Sequence, residues 1–143
     1  MTNLPIQDLF LRNVVEDDLP FFFDFQLDPD ANYMAAFTAK DPGNREAFTA
    51  HWSRIMAAAT VIIKTIVCDG QVVGSVLSYE EDGKPEVSYW IGKEFWGRGI
   101  ATAALAELLQ EVKIRPLYAH VANHNLASKR VLEKMDLLCM MNR

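Results

Sequence analysis

The chain has 143 residues, half of them hydrophobic and 23% charged, and carries a formal charge of −5 at pH 7. This length and composition predict a single globular domain over residues 1–143 and exclude a disordered or collagen-like protein. A net acidic chain without a basic stripe binds nucleic acid poorly, so we expect no nucleic-acid partner.

The first third of the chain predicts one strand and two helices. Residues 7–15 alternate loosely between apolar and polar side chains and are expected to form the first strand. An acidic, proline-marked start favours a helix over residues 21–26, which the cluster at residues 28–30 ends. After a second breaker, apolar side chains at helical spacing predict a helix over residues 44–58, with Asn44 as its N-cap.

The middle of the chain predicts an antiparallel meander followed by a helix. Residues 60–68 are rich in β-branched side chains, Asp69-Gly70 is a hairpin signal, and residues 71–79 form a second β run. Residues 86–91 alternate again and predict a third consecutive strand. After a glycine-rich loop, residues 100–112 place their apolar side chains on one helical face.

The last third predicts one strand at residues 117–121 and a final helix introduced by residues 123–125, with Ala127, Val131 and Met135 facing inward. The predicted order is therefore β, α, α, β, β, β, α, β, α. Strands that precede a single strand–helix–strand passage indicate a mixed α/β fold rather than a doubly wound sheet.

The two cysteines and the N-terminal residues indicate the compartment. Cys68 and Cys139 lie far apart without metal-ligand spacing, so we expect free thiols and no zinc site. Charged residues near the N-terminus argue against a secretory signal, and no apolar run approaches the roughly 18 residues of a membrane span. The sequence therefore predicts a cytoplasmic protein without a membrane partner.

The turn between the third meander strand and the following helix carries the clearest chemical signal. Its glycines let backbone N–H groups approach a ligand, and the N–H groups of a helix start bind anions. Such a turn is suited to hold a diphosphate, whereas a simple tight turn into a packed helix is the alternative. The residues concerned are Gly97, Arg98, Gly99, Ile100, Ala101 and Thr102.

Two common phosphate-binding motifs are excluded here. The third glycine of a dinucleotide-binding fingerprint is replaced by Thr102, and the preceding meander is not the strand–helix–strand unit which that fingerprint requires. A P-loop is excluded because the Gly-Lys-Ser/Thr triplet is absent. The diphosphate would therefore be bound in another context.

Two segments resemble signatures of the GNAT superfamily of N-acetyltransferases: EVSYWIGKEFWGRGIATAAL at residues 86–105 and NLASKRVLEK at residues 125–134. The first resembles the acyl-CoA-binding motif of the family. The second resembles a signature of the branch that includes ribosomal-protein N-terminal acetyltransferases. The resemblance implies a central mixed, mostly antiparallel sheet flanked by helices.

The resemblance also implies acetyl-CoA as cosubstrate, without a metal. In that family pantetheine lies between two splayed strands, which correspond here to residues 86–91 and 117–121, and bonds to main-chain groups. Trp96 replaces the usual Arg or Gln, and Asn125 is implied either as an N-cap or as a pantetheine contact. The residues implied to bind the cofactor are Trp90, Ile91, Trp96, the six turn residues named above, Asn125 and Ser128.

Attack of a neutral amine on a thioester requires a proton acceptor and a donor for the leaving thiolate. Glu86 is the candidate base, directly or through water, and a solvated strand-start acid is the alternative. Ser128 matches the serine that the branch places near the sulfur, since Leu132 stands where many members have a tyrosine; a structural helix serine is its alternative. His120 is either a second candidate base or a packed strand histidine.

These features predict an N-acetyltransferase that acts on a primary amine, either a protein N-terminus or a small molecule. The alternative is a catalytically impaired acyl-CoA-binding or interaction module, which Leu132 favours. The family usually adds a closing hairpin after the last helix, whereas residues 138–143 leave room for at most one short strand. We therefore expect an open sheet edge, or a homodimer that completes it.

Overall fold

A computed structural model describes residues 8–35 and 38–142 of the chain. Within this part, one six-stranded sheet is combined with five α-helices. The elements in chain order are β1 Leu9–Asn13, α1 Leu19–Gln26, α2 Pro29–Met34, α3 Arg45–Ala57, β2 Ile62–Cys68, β3 Gln71–Glu81, β4 Lys84–Ile91, α4 Ile100–Glu111, β5 Tyr118–Ala122, α5 Leu126–Lys134 and β6 Leu138–Asn142.

The sheet is mixed and mostly antiparallel, and its strands follow one another in chain order from β1 to β6. β1 to β4 pair antiparallel, whereas β5 is parallel to both β4 and β6. The predicted hairpin between β2 and β3 is confirmed. Asp69 and Gly70 both have positive φ, 50° and 82°, as a tight turn that matches strand twist requires.

β4 and β5 separate soon after they meet. Their register contains a single pair in the described residues, Glu86 with Tyr118, whereas β5 pairs with β6 from Tyr118 to Ala122. β4 instead stays on β3 up to the pair of Ile91 with Gly74. Glycine at position 74 permits this, because a Cβ there would lie 2.2 Å from the carbonyl oxygen of Trp90. A gap therefore opens between the two parallel strands.

Two features differ from the sequence prediction. The cluster at residues 28–30 ends α1 but also begins α2: the Asp28 side chain accepts hydrogen bonds from the N–H groups of Asp30 and Ala31, and Pro29 occupies the first helical position. The predicted order ended at the last helix, whereas in the structure the short strand β6 follows that helix. Residue 7, the first of the predicted initial strand, lies outside the described residues.

The inward face predicted for the last helix was partly wrong. Leu132 is the buried residue of α5, at 2% exposure, and Val131 and Met135 pack beside it, whereas Ala127 is exposed. Leu132 joins the central core with Ile66, Leu105, Leu108 and Leu117, all of them almost completely buried. Burial of each of these side chains contributes about 1.5–3 kcal/mol. The central core therefore includes α5 through the side chain of Leu132.

Asp18 joins the first strand to the second through a buried carboxylate that is 2% exposed. Arg12 donates to both carboxylate oxygens, at 2.7 and 2.8 Å. The N–H of Val15 and the hydroxyl of Thr65 also donate to Oδ2, at 3.0 and 2.7 Å. Burial alone would raise the pKa of Asp18, but these hydrogen bonds outweigh burial and lower it.

We expect Asp18→Ala to lower the free energy of unfolding by about 3 kcal/mol, because it leaves buried donors unsatisfied. The pKa of Asp18 is lowered in the folded state, so its contribution is present above the ordinary value of 3.8 and is lost as the pH falls through the folded value. Urea unfolding at neutral pH and near pH 3 measures both effects.

The exposed neighbour Asp17 provides the matched control for this prediction. We expect Asp17→Ala to change the free energy of unfolding by less than about 0.5 kcal/mol at either pH. Equal effects of the two substitutions, or a loss for Asp18→Ala that does not shrink in acid, would contradict the role given to Asp18.

Candidate active site

A cavity of about 330 Å³ lies beside the end of β4, beyond the point where this strand separates from β5. The end of β4, the turn before α4, the first turn of α4, the end of α2 and the start of α5 all line it. This places most of the predicted cofactor residues around one space. Those that line the cavity are Trp90, Ile91, Trp96, Gly97, Gly99, Ile100, Ala101, Thr102, Asn125 and Ser128.

The N-terminus of α4 is built to receive an anion at the cavity wall. Gly97 and Gly99 have φ of 79° and 75°, in the left-handed region that favours glycine. Gly99 is the N-cap residue, so no side chain caps the helix, and no acidic residue lies in the first turn. A Cβ at Gly99 would meet no atom within 4 Å. The first N–H groups of α4 therefore border open space, and this fits the diphosphate of coenzyme A.

Arg98 and Trp96 stabilise the loop before α4 through their side-chain contacts. Arg98 is absent from the residues that line the cavity, and its guanidinium lies 3.7 Å from a carboxylate oxygen of Asp69 in the β2–β3 turn. The indole N–H of Trp96 donates to the carbonyl oxygen of Ile91 at 2.9 Å. These contacts tie the loop to the end of β4 and to the neighbouring hairpin.

Asn125 connects α5 with α2 at the edge of the cavity. Its Oδ1 accepts a hydrogen bond from the N–H of Ser128 at 3.0 Å, which is an N-cap contact. Its Nδ2 donates to the carbonyl oxygen of Met34 at 2.8 Å. The N-cap role considered in the sequence analysis is therefore present in the structure, and the same side chain fixes the end of α2 beside the cavity.

Ser128 forms a hydroxyl pair with Tyr89, with 2.6 Å between the two oxygens. Burial raises the pKa of Tyr89, although the hydrogen bond with Ser128 partly offsets this, so the phenol keeps its proton at neutral pH. Tyr89 was not among the predicted site residues because strand alternation groups it with the apolar Val87 and Ile91. Its hydroxyl among apolar neighbours was the available signal.

A smaller cavity of about 90 Å³ adjoins the first. The two cavities share the lining residues Ala35, Tyr89, Trp90 and Ser128. The smaller cavity is also lined by polar side chains that come from three neighbouring strands. These are Tyr79, Ser88 and His120. The Tyr89–Ser128 pair therefore stands where the two cavities meet.

Glu86 differs from the solvated acid that its position at a strand start suggested. It is 2% exposed and is absent from the described residues that line either cavity. The reason is its place in the sheet, opposite Tyr79 on β3 and Tyr118 on β5. Side chains two residues apart share one face of a strand, so His120 lies on the same face as Tyr118.

Glu86 contacts both of its polar neighbours through one oxygen. The hydroxyl of Tyr79 donates to Oε1 at 3.2 Å, and Nε2 of His120 lies 3.2 Å from the same atom. Burial is the larger cause that raises the pKa of Tyr79, and the charge of Glu86 raises it further. The carboxylate therefore meets the smaller cavity through Tyr79 and His120.

No helix within residues 8–35 and 38–142 has both the length and the apolar character needed to cross a bilayer.

The sequence model for the acetyltransferase (GNAT) domain matches residues 8–137. A protein of Bacillus subtilis (strain 168) named "Putative ribosomal N-acetyltransferase YdaF" is 31% identical over 113 residues. The match covers 71% of this chain and 62% of that protein. The chain thus spans less than two-thirds of the length of this relative.

Solved structures share the fold. Mycobacterium smegmatis RimJ in complex with CoA-disulfide is 27% identical, with a TM-score of 0.71 over 87% of this chain and 68% of that chain. The ribosomal L7/L12 alpha-N-protein acetyltransferase RimL in complex with coenzyme A is 19% identical, with a TM-score of 0.74 over 91% and 80%. Spermidine N-acetyltransferase from Vibrio cholerae, in complex with CoA and spermine, is 16% identical, with a TM-score of 0.74 over 88% and 78%.

Two findings lead to the same assignment. The first is the match over residues 8–137, and the second is the mixed sheet with its separated parallel strands. The chain belongs to the GNAT acetyltransferase family.

Proposed function

We propose that the protein is an N-acetyltransferase that moves the acetyl group of acetyl-CoA to a primary amine by direct attack. One observation carries the proposal: the cavity between β4 and β5 connects the uncapped start of α4 with the hydroxyl pair of Tyr89 and Ser128. The first end suits a diphosphate and the second suits a sulfur that needs a proton. Family membership supports the same activity.

The cofactor site follows from this arrangement. The N–H groups of the turn at residues 97–99 and of the first turn of α4 hold the diphosphate. Trp90 and Ile91 line the cavity, and in the proposed complex they lie beside pantetheine. Arg98 contributes through its contact with Asp69, which supports the turn. The thioester then lies beside Ser128, where the smaller cavity begins.

The chemistry requires a proton donor and a proton acceptor on either side of the thioester. The hydroxyl pair of Tyr89 and Ser128 donates to the departing thiolate, and the raised pKa of Tyr89 keeps that donor protonated. Glu86 is a buried carboxylate, and it assists the removal of the proton from the amine. The amine enters through the smaller cavity, and a protein N-terminus and a small-molecule amine are both candidate acceptors.

An acyl-CoA-binding module with impaired catalysis is the second candidate function. It is favoured by Leu132, which is completely buried at the position where many family members carry a tyrosine. Such a module would bind acetyl-CoA without transferring the acetyl group. The Tyr89–Ser128 pair favours the enzyme, because Tyr89 of β4 and Ser128 of α5 supply hydroxyl groups to the same smaller cavity that Leu132 lines.

The cysteines and the edge of the sheet indicate location and assembly. Cys68 and Cys139 are free thiols, which is typical of the reducing cytoplasm. β6 ends the sheet in the described part of the chain, and we expect a second copy to pair there. Light scattering of the purified protein distinguishes a monomer from a dimer.

Gly99→Ala is expected to weaken acetyl-CoA binding at least about tenfold, because it disturbs the left-handed conformation that aims the N–H groups of α4 at the diphosphate. Gly83→Ala is the matched control: Gly83 has a similar φ of 76° and open space for a Cβ, but it lies in the β3–β4 turn. Calorimetric titration measures both. Equal weakening in the two variants would contradict the diphosphate site.

We expect the parent protein to release CoA thiol from acetyl-CoA only when an amine is present. The assay uses a panel of peptides with free N-termini, spermidine and simple alkylamines, and a thiol reagent detects the product. Turnover of at least one amine is the expected result. Acetyl-CoA binding without turnover of any amine would favour the impaired module.

Tyr89→Phe is expected to lower kcat about 100-fold with the KM for acetyl-CoA little changed, because it removes a proton donor from the leaving thiolate. Ser128→Ala should lower kcat in the same direction. Tyr118→Phe is the control, since Tyr118 lines neither cavity among the described residues. Parent-like kcat in both Tyr89→Phe and Ser128→Ala would contradict the assignment of this hydroxyl pair.

A further inference from the structure

His120 lies between the buried carboxylate and the smaller cavity. Its side chain is 14% exposed, whereas that of Glu86 is 2% exposed, and their contact joins Nε2 to Oε1 at 3.2 Å. His120 lines the smaller cavity, and Glu86 is absent from the described residues that do so. An amine held in this cavity therefore meets the imidazole before it can reach the carboxylate.

The phenols that line the same cavity are poor proton acceptors. Burial raises the pKa of both Tyr79 and Tyr89, and the charge of Glu86 raises that of Tyr79 further. Both phenols therefore keep their protons at neutral pH. A neutral imidazole carries one ring nitrogen with a free lone pair that can accept a proton, whereas a protonated phenol offers a much weaker acceptor. His120 is thus the side chain of this lining best suited to act as a base.

We propose that His120 is the catalytic base of the acetyl transfer and that Glu86 is a positioning residue behind it. The inference rests on the proposed function and names the group that touches the amine. Glu86 holds the ring through Nε2 and stabilises the imidazolium that forms when the ring accepts a proton. A carboxylate plays this part behind histidine bases on unrelated folds.

The reaction balances with these groups alone. The amine nitrogen forms a bond to the thioester carbon, the carbon–sulfur bond breaks, and CoA leaves as its thiolate. The proton lost by the nitrogen passes to His120, and the thiolate receives one from the Tyr89–Ser128 pair. The products are the N-acetylated amine and CoA thiol, and proton exchange with water restores both groups.

A second carboxylate provides the route from His120 to water. Glu81, at the end of β3, is exposed, and ligand atoms of Glu81, Glu86 and His120 all lie within 4.8 Å of one another. A proton taken from the amine can therefore pass from His120 to the exposed Glu81 and on to water.

The test compares the parent, His120→Ala, His120→Gln and Glu86→Gln, using the panel amine with the highest parental rate. We expect His120→Ala to lower kcat about 100-fold. Free imidazole should then raise the kcat of this variant at least about tenfold. Imidazole should rescue neither His120→Gln, whose side chain fills the space, nor Glu86→Gln. His51→Ala, on the exposed surface of α3, should keep the parental kcat.

Calorimetric titration with acetyl-CoA shows whether each variant is folded. If the parent is active and folded His120→Ala keeps its kcat, or loses kcat without recovery in imidazole, His120 is not the base, although the proposed function stands. A parent that acetylates no amine of the panel contradicts the proposed function and this inference together. Protein-free reactions correct for the direct reaction of imidazole with the thioester.

Discussion

The separation of two parallel strands is the constraint on which the rest of the molecule depends. β4 and β5 meet at one pair, Glu86 with Tyr118, and then part, while β4 remains on β3 as far as Gly74. The larger cavity lies beside the end of β4, beyond the point where the strands part. The last residues of β4 and the first turn of α4 both border it.

The pairing of Glu86 with Tyr118 also determines the surroundings of the Glu86 carboxylate. Glu86 is buried because strands cover it on both sides, so its side-chain contacts are with Tyr79 and His120. Tyr89 and Ser128 line both cavities, and their hydroxyl groups contact each other. In the mechanism that we propose, His120 receives the amine proton and the Tyr89–Ser128 pair supplies a proton to the thiolate.

Local features could be predicted from the sequence, whereas contacts between distant residues could not. The Asp69-Gly70 turn and the N-cap at Asn44 depend on a few neighbouring residues, and both were predicted correctly. The burial of Glu86 depends on strands that pack beside it, and the partner of Tyr89 lies 39 residues away on another element. Arg98 illustrates the same limit, because its carboxylate partner belongs to a separate hairpin. The glycine turn before α4 could be located from the sequence because it is one continuous segment.

The most direct measurement is a crystal structure of the protein in complex with coenzyme A. This account predicts the diphosphate on the N–H groups at the start of α4, pantetheine between β4 and β5, and the sulfur within hydrogen-bonding distance of Ser128 or Tyr89. Coenzyme A bound on another surface, with the gap between the two strands left empty or filled by side chains, would contradict it.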